Sequence, residues 1–293
     1  MSSVMVDNWF MEEVLAEIRE NDVQNYSSYT DLLMAIVLWD DVYYPSNGKN
    51  WWNSMVSPVQ DLLIPVDDFG EWEGRHTEHN NIVCDGAIQY LDFCNQKGFN
   101  YLPCKKRLNF LRRACSPEEV SKALMRLRQQ DILTKTVRDY YLDHYNNVLE
   151  LQKIQIQMPI LSKYIFDEAS NDISPVDFAV QLKNEKKVIE YRNFLDQLDS
   201  AVEKQDWREL RFLLQCSQDA VDSVLSVDKR KLISVSVDIF PLPQIIIHLG
   251  NIEMNLGKTL SLTINNVEAL IKKYNLIFLR EVTQYAINDM ALW

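Results

Sequence analysis

The sequence predicts a helix-rich α+β protein, with a helical bundle over most of residues 1–230 and a small, mostly antiparallel sheet near 231–265. Three observations predict it. Glycine is scarce, seven in 293 residues, which disfavours glycine-rich nucleotide folds and many-turned β-sandwiches. From Ser116 onward apolar residues recur at helical spacing almost without interruption. Residues 231–240 alternate strictly, Ile233, Val235, Val237 and Ile239 against Ser234, Ser236 and Asp238, as a half-buried strand does. The division that follows is a mainly helical body over 1–230, with a sub-boundary near 100–116, and a segment 231–293 of β structure plus terminal helices.

Taken in order, Phe10, Val14 and Ile18 repeat every four residues and predict a helix over 8–20, with Asp7 or Asn8 as its cap. Residues 30–39 are almost wholly apolar and predict a buried helix. Pro45, Asn47 and Gly48 then enforce a turn in an aromatic loop, 42–52, that carries Trp51 and Trp52. Ser-Pro pairs at 57, 116 and 174 each fit a helix start, serine as cap and proline in the first turn. The polar stretch 65–81 predicts irregular structure, and 81–96 a helix stopped by Gly98. Further helices are predicted over 117–130, 134–156, 175–184, 186–204 and 206–227, with a break at Pro159 and a short turn at Gln205-Asp206. After the first strand, residues 245–248 and 259–264 predict two more. A helix from Asn266 and an amphipathic segment over 276–292 close the chain.

Composition bounds the function. Apolar and charged residues make up 47% and 25% of the chain, as in ordinary globular proteins. The five cysteines are odd in number and scattered. The first residues lack a cationic segment followed by an apolar run, so a cytoplasmic, reducing compartment is expected. The longest apolar run, 32–39, is too short to cross a bilayer, so no membrane role is expected.

Charge is distributed unevenly. The chain carries −12, yet residues 105–138 hold ten Lys/Arg against three acids, a local +7. A cationic helical face made by Lys105, Lys106, Arg107, Arg112, Arg113, Arg126 and Arg128 is what an acidic protein partner or RNA would need. Alternatively, those cations form a solvated face or pair with the acids of 184–204. The aromatic loop with Trp51 and Trp52 is a second candidate partner surface.

The last residue of the basic block begins Arg138-Asp139-Tyr140-Tyr141-Leu142-Asp143-His144. These seven residues resemble the signature of HEPN ribonucleases, helical enzymes of bacterial toxin and antiviral defence systems. The resemblance implies a metal-independent endoribonuclease needing no cofactor, with His144 as general acid/base, Arg138 stabilising the phosphorane and Asp139 orienting. It also implies a cleft between two copies, hence a homodimer. A titrating imidazole beside a permanent cation is chemically suited to phosphodiester cleavage.

Other motifs carry less. His76 and His79, with Cys84, Cys94 and Cys104, offer zinc ligands without the tight spacing of structural sites. Gly257-Lys258-Thr259 lacks the upstream glycine of a phosphate loop, since position 252 is Ile. The adjacent pairs Asp40-Asp41 and Asp67-Asp68 are read as solvated carboxylates rather than magnesium ligands. The expected function is thus an interaction or accessory protein with a basic docking face, with the ribonuclease as the alternative.

Overall fold

The computed structural model describes residues 2–20, 27–45, 63–66, 79–114, 126, 130, 134, 159–169, 173–228, 271–274 and 276–291. The chain divides into two units. One is Met1–Leu127 with Ile165–Asn184, and the other is Arg128–Tyr164 with Glu185–Trp293.

The first unit is built on four short parallel strands, β1 (Ser3–Val6), β2 (Asp41–Pro45), β3 (Leu63–Val66) and β4 (Asn100–Leu102). They are ordered β3-β2-β1-β4. Val4 and Met5 of β1 pair with Val42 and Tyr43 on one side and with Asn100 and Tyr101 on the other. This finding overturns the expected antiparallel sheet near the C-terminus: the sheet described is all-parallel and lies near the N-terminus. The expected strands at 231–240, 245–248 and 259–264 lie outside the described residues.

The misreading has a physical cause. A parallel strand covered on both faces has no solvent side, so it shows no alternation. Val4, Met5 and Val6 are all fully buried, and so short an apolar run carries no period. Asp41–Pro45, read as part of an aromatic turn, is a strand because its backbone pairs with both β1 and β3.

Around the sheet run α1 (Asn8–Glu20) and α2 (Ser28–Leu38), which pack on each other. In α2 every residue except Asp31 is buried, as a helix apolar on all sides requires. Its N-terminus is capped from outside: the Glu17 carboxylate of α1 accepts from the backbone N–H of Ser27, Ser28 and Tyr29 and from Ser27 Oγ, at 2.8–3.1 Å. Next come α3 (His79–Lys97) and α4 (Lys105–Ala114), which pack together. Gly98, at φ 72°, ends α3 and lets Phe99 N–H reach back to the Cys94 carbonyl at 2.8 Å.

Beyond them, α5 spans Ile160–Glu168, and α6 (Pro175–Lys183) returns to the first unit and packs on α2. Ser174 caps α6 as its Ser-Pro pattern predicts, its Oγ accepting from Asp177 N–H at 3.1 Å with proline in the first turn.

The second unit packs α7 (Lys186–Glu203), α8 (Trp207–Asp228) and α9 (Ile277–Ala291) against one another. Aromatic contacts run through its largely aliphatic core. Tyr191 of α7 meets Phe194 and Phe278, and Phe194 and Phe212 both meet Tyr274, with ring centroids 5.6–6.4 Å apart. The turn expected at Gln205-Asp206 is present. Gln205 adopts φ 54°, Asp206 N–H bonds the Ala201 carbonyl, and the Asp206 side chain caps α8 through Glu209 N–H.

Candidate functional site

Strand β4 crosses to the far side of β1, so the connection order reverses between those two strands. In open parallel sheets ligands bind in the crevice outside the carboxyl ends of the strands at such a switch point. The residues that leave the carboxyl ends of β1 and β4 are therefore the place to look.

The apolar run of β1 ends in Asp7, and the chain turns at once into α1. Asp7 caps that helix, its Oδ1 accepting from Phe10 N–H at 2.8 Å. Its Oδ2 accepts from Tyr101 Oη at 2.8 Å and from Cys104 N–H at 3.1 Å. One carboxylate thus ties the end of β1 to the end of β4 and to the entry of α4.

From the first turn of α4, Arg107 enters the same space. Its Nη1 lies 3.2 Å from Asp7 Oδ1 and donates to Asn8 Oδ1 at 3.0 Å. Its guanidinium carbon lies 4.6 Å from the centroid of the Trp9 ring and 5.0 Å from that of Tyr90. The side chains of Asp7 and Arg107 are both 0% exposed. On α3 the facing residue is Gly86, where a Cβ would stand 2.6 Å from Arg107 Nη2. The guanidinium lies where any larger residue at 86 would collide with it.

Electrostatics keep the cation charged and the neighbouring phenol and thiols neutral. Burial pulls the Arg107 pKa down, but Asp7 and the neighbouring phenols and thiol draw it up, and the net shift is upward. Burial, with the Asp7 charge adding to it, pushes the Tyr101 hydroxyl well above its ordinary value, so it remains a donor. The same two causes push the Cys104 thiol up to about 12 and also raise Cys94, leaving both neutral and poor nucleophiles. Burial raises the Glu12 carboxyl as well, against the opposing pull of Arg107. The switch point is filled by the side chains of Asp7, Asn8, Tyr101 and Arg107.

Of the residues named from the sequence, the structure brings Arg107 to this place and buries Arg126 elsewhere in the same unit. Arg126 lies over the Trp39 ring and donates to the Leu38 carbonyl. Lys105 and Lys106 are exposed on the first turn of α4, and Arg112 and Arg113 lie in its last turn. Arg128, Arg138, Asp139, His144, Trp51 and Trp52 lie outside the described residues. So do His76, Asp67 and Asp68. Asp40 is an acceptor for Ser2 N–H at 2.8 Å, and Cys94 and Cys104 are buried free thiols. Among the described residues, no three metal-ligating side chains come together, and no helix is long and apolar enough to cross a membrane.

Sequence reasoning gave Asp7 only a capping role and missed Tyr101 as its partner, and Trp9, Gly86 and Tyr90 as the surroundings of Arg107. The available signal was an apolar triplet ending in Asp7 directly before a helix. Strand pairing across some ninety residues was needed to bring Tyr101 and Arg107 to it. No family model, curated protein or solved structure matches the chain.

Proposed function

We propose that the protein is a binding module that docks an acidic partner surface through the outward side of α4. The observation that carries this is the split within three consecutive cations: Arg107 is buried and pins the helix to Asp7, while Lys105 and Lys106 are exposed beside it. They stand at the edge of the sheet where open parallel folds hold their ligands. With the crevice beneath filled, recognition there is a matter of surface charge rather than of a small molecule enclosed in a cavity. The buried free thiols Cys94, Cys104 and Cys216 suit work in a reducing cytoplasm.

The test is fluorescence anisotropy with a labelled oligoglutamate peptide and, separately, a single-stranded RNA of equal charge. The Lys105→Glu/Lys106→Glu variant should weaken peptide binding roughly tenfold at low salt, with a smaller difference as salt rises. Unchanged affinity would remove the proposal, and stronger loss with RNA than with peptide would name nucleic acid as the partner.

A second reading, a metal-independent ribonuclease acting as a homodimer, rests on the Arg138-Asp139-x4-His144 pattern that begins at the end of the +7 block. For it, His144→Ala should abolish RNA cleavage measured in EDTA without unfolding the protein. Equal cleavage by that variant would eliminate it.

A further inference from the structure

The switch point is filled, and what fills it has the character of a bound ligand. A guanidinium is flat, permanently charged and weakly hydrated, so a site selective for it offers aromatic faces, a carboxylate and a hydrogen-bond acceptor near its edge. All of these are present. The Trp9 and Tyr90 rings are within 5.0 Å of the guanidinium carbon. Asp7 Oδ1 and Asn8 Oδ1 lie at 3.2 and 3.0 Å from Nη1.

The acceptors are also held in place independently of the arginine. Phe10 N–H, Tyr101 Oη and Cys104 N–H fix both oxygens of Asp7. Tyr90 Oη donates to Asn8 Oδ1 at 3.3 Å. Gly86 leaves the space that Nη2 uses, because a Cβ there would come within 2.6 Å. A recognition site oriented by groups other than its occupant keeps its shape when the occupant is removed.

We infer that the pocket formed by Asp7, Asn8, Trp9, Gly86 and Tyr90 is a guanidinium-binding site that the chain occupies with its own Arg107, an internal ligand closing the crevice at the switch point. Shortening Arg107 leaves a site that takes a free guanidinium compound. An ammonium ion of equal charge is a poor substitute, because it is not flat and cannot stack on the rings.

The test uses the full chain carrying Arg107→Ala, with methylguanidinium as the probe and methylammonium as the control at equal ionic strength. The variant should lose about 10 °C in Tm relative to the parent. Methylguanidinium at ten times its Kd should return about 4 °C of that loss, measured against its effect on the parent, and methylammonium should return none. Adding Asp7→Asn to Arg107→Ala should remove the recovery. Equal responses to the two cations, or recovery that survives Asp7→Asn, would overturn the inference. Should Arg107→Ala fail to fold on expression, refolding from urea decides: a yield raised by methylguanidinium and not by methylammonium supports the site, and equal yields refute it. In the parent, the Arg107 Nε–H should exchange with water far more slowly than that of exposed arginines. Exchange as fast as theirs would show that the side chain does not occupy the pocket.

Discussion

The two units hold ion pairs in different surroundings. In the first, charge is taken into the core: Asp7 and Arg107 form an ion pair with both side chains 0% exposed, surrounded by tyrosines and a backbone cap. In the second, a described ion pair lies at the surface, beside a core that mixes aliphatic and aromatic side chains. There Lys187 Nζ lies 2.6 Å from Glu281 Oε1, with side chains 25% and 40% exposed, and 3.0 Å from Glu185. Removing one partner should cost less at the shorter contact. Water already solvates Lys187 and Glu281, whereas Asp7 without Arg107 is a buried charge with nothing to balance it. Distance alone says little about what an ion pair contributes.

The comparison can be broken in four places. The largest effect should come from Asp7→Ala, which strands Arg107, removes the α1 cap and leaves Tyr101 Oη without its acceptor. A loss of about 4 kcal/mol or more is expected, read as faster amide exchange across β1 and β4. A loss under about 1 kcal/mol would mean that the pair is as dispensable as a surface bridge. Next is Glu17→Ala. Because Glu17 satisfies three backbone donors at the start of α2, its removal should cost about 2 kcal/mol, with exchange of the Ser27–Tyr29 amides rising first.

In the second unit, Gln205→Gly should stabilise by about 1 kcal/mol, since Gln205 holds a left-handed conformation at φ 54° that glycine adopts freely. Urea denaturation would show a higher midpoint with an unchanged slope. The smallest effect is that of Lys187→Met, a few tenths of a kcal/mol at neutral pH. Burial lowers the Lys187 pKa, but its bonds to Glu281 and Glu185 outweigh that and raise it above 10.5. A raised folded pKa means that the folded state holds the proton more tightly. The contribution is therefore fully present below pH 10.5 and is lost as pH climbs through the folded value. The parent and Lys187→Met should converge in stability above that range, and a gap that persists there would deny the ion pair its role.

How much of this was legible depends on the range of the interaction responsible. The helices at 8–20, 175–183 and 186–203 follow from periodicity and caps within a few residues, and Gly98 and Ser174 act where their side chains, or lack of one, say they should. Lys105, Lys106 and Arg107 show the limit. Three adjacent cations read alike as one basic face, yet two point to solvent and the third is the most deeply buried charge beside Asp7. Helical geometry turns successive residues by about 100°; which of them faces inward depends on where β4 delivers the helix.

The sequence by itself determined the helices near 8–20, 175–183 and 186–203, the Ser174 cap and the concentration of positive charge between 105 and 138, because each rests on neighbours along the chain; the helix at 160–168 and the Glu17 cap of α2 did not follow from it. Tertiary structure alone decided that the sheet is parallel and N-terminal, and that Asp7 meets Arg107 beside Trp9 and Tyr90. Parallel strands pair only with distant segments, and a strand buried on both faces leaves no alternating pattern to announce its partner. An arginine that reads as a docking charge became an interior one because a carboxylate a hundred residues earlier was already oriented to receive it.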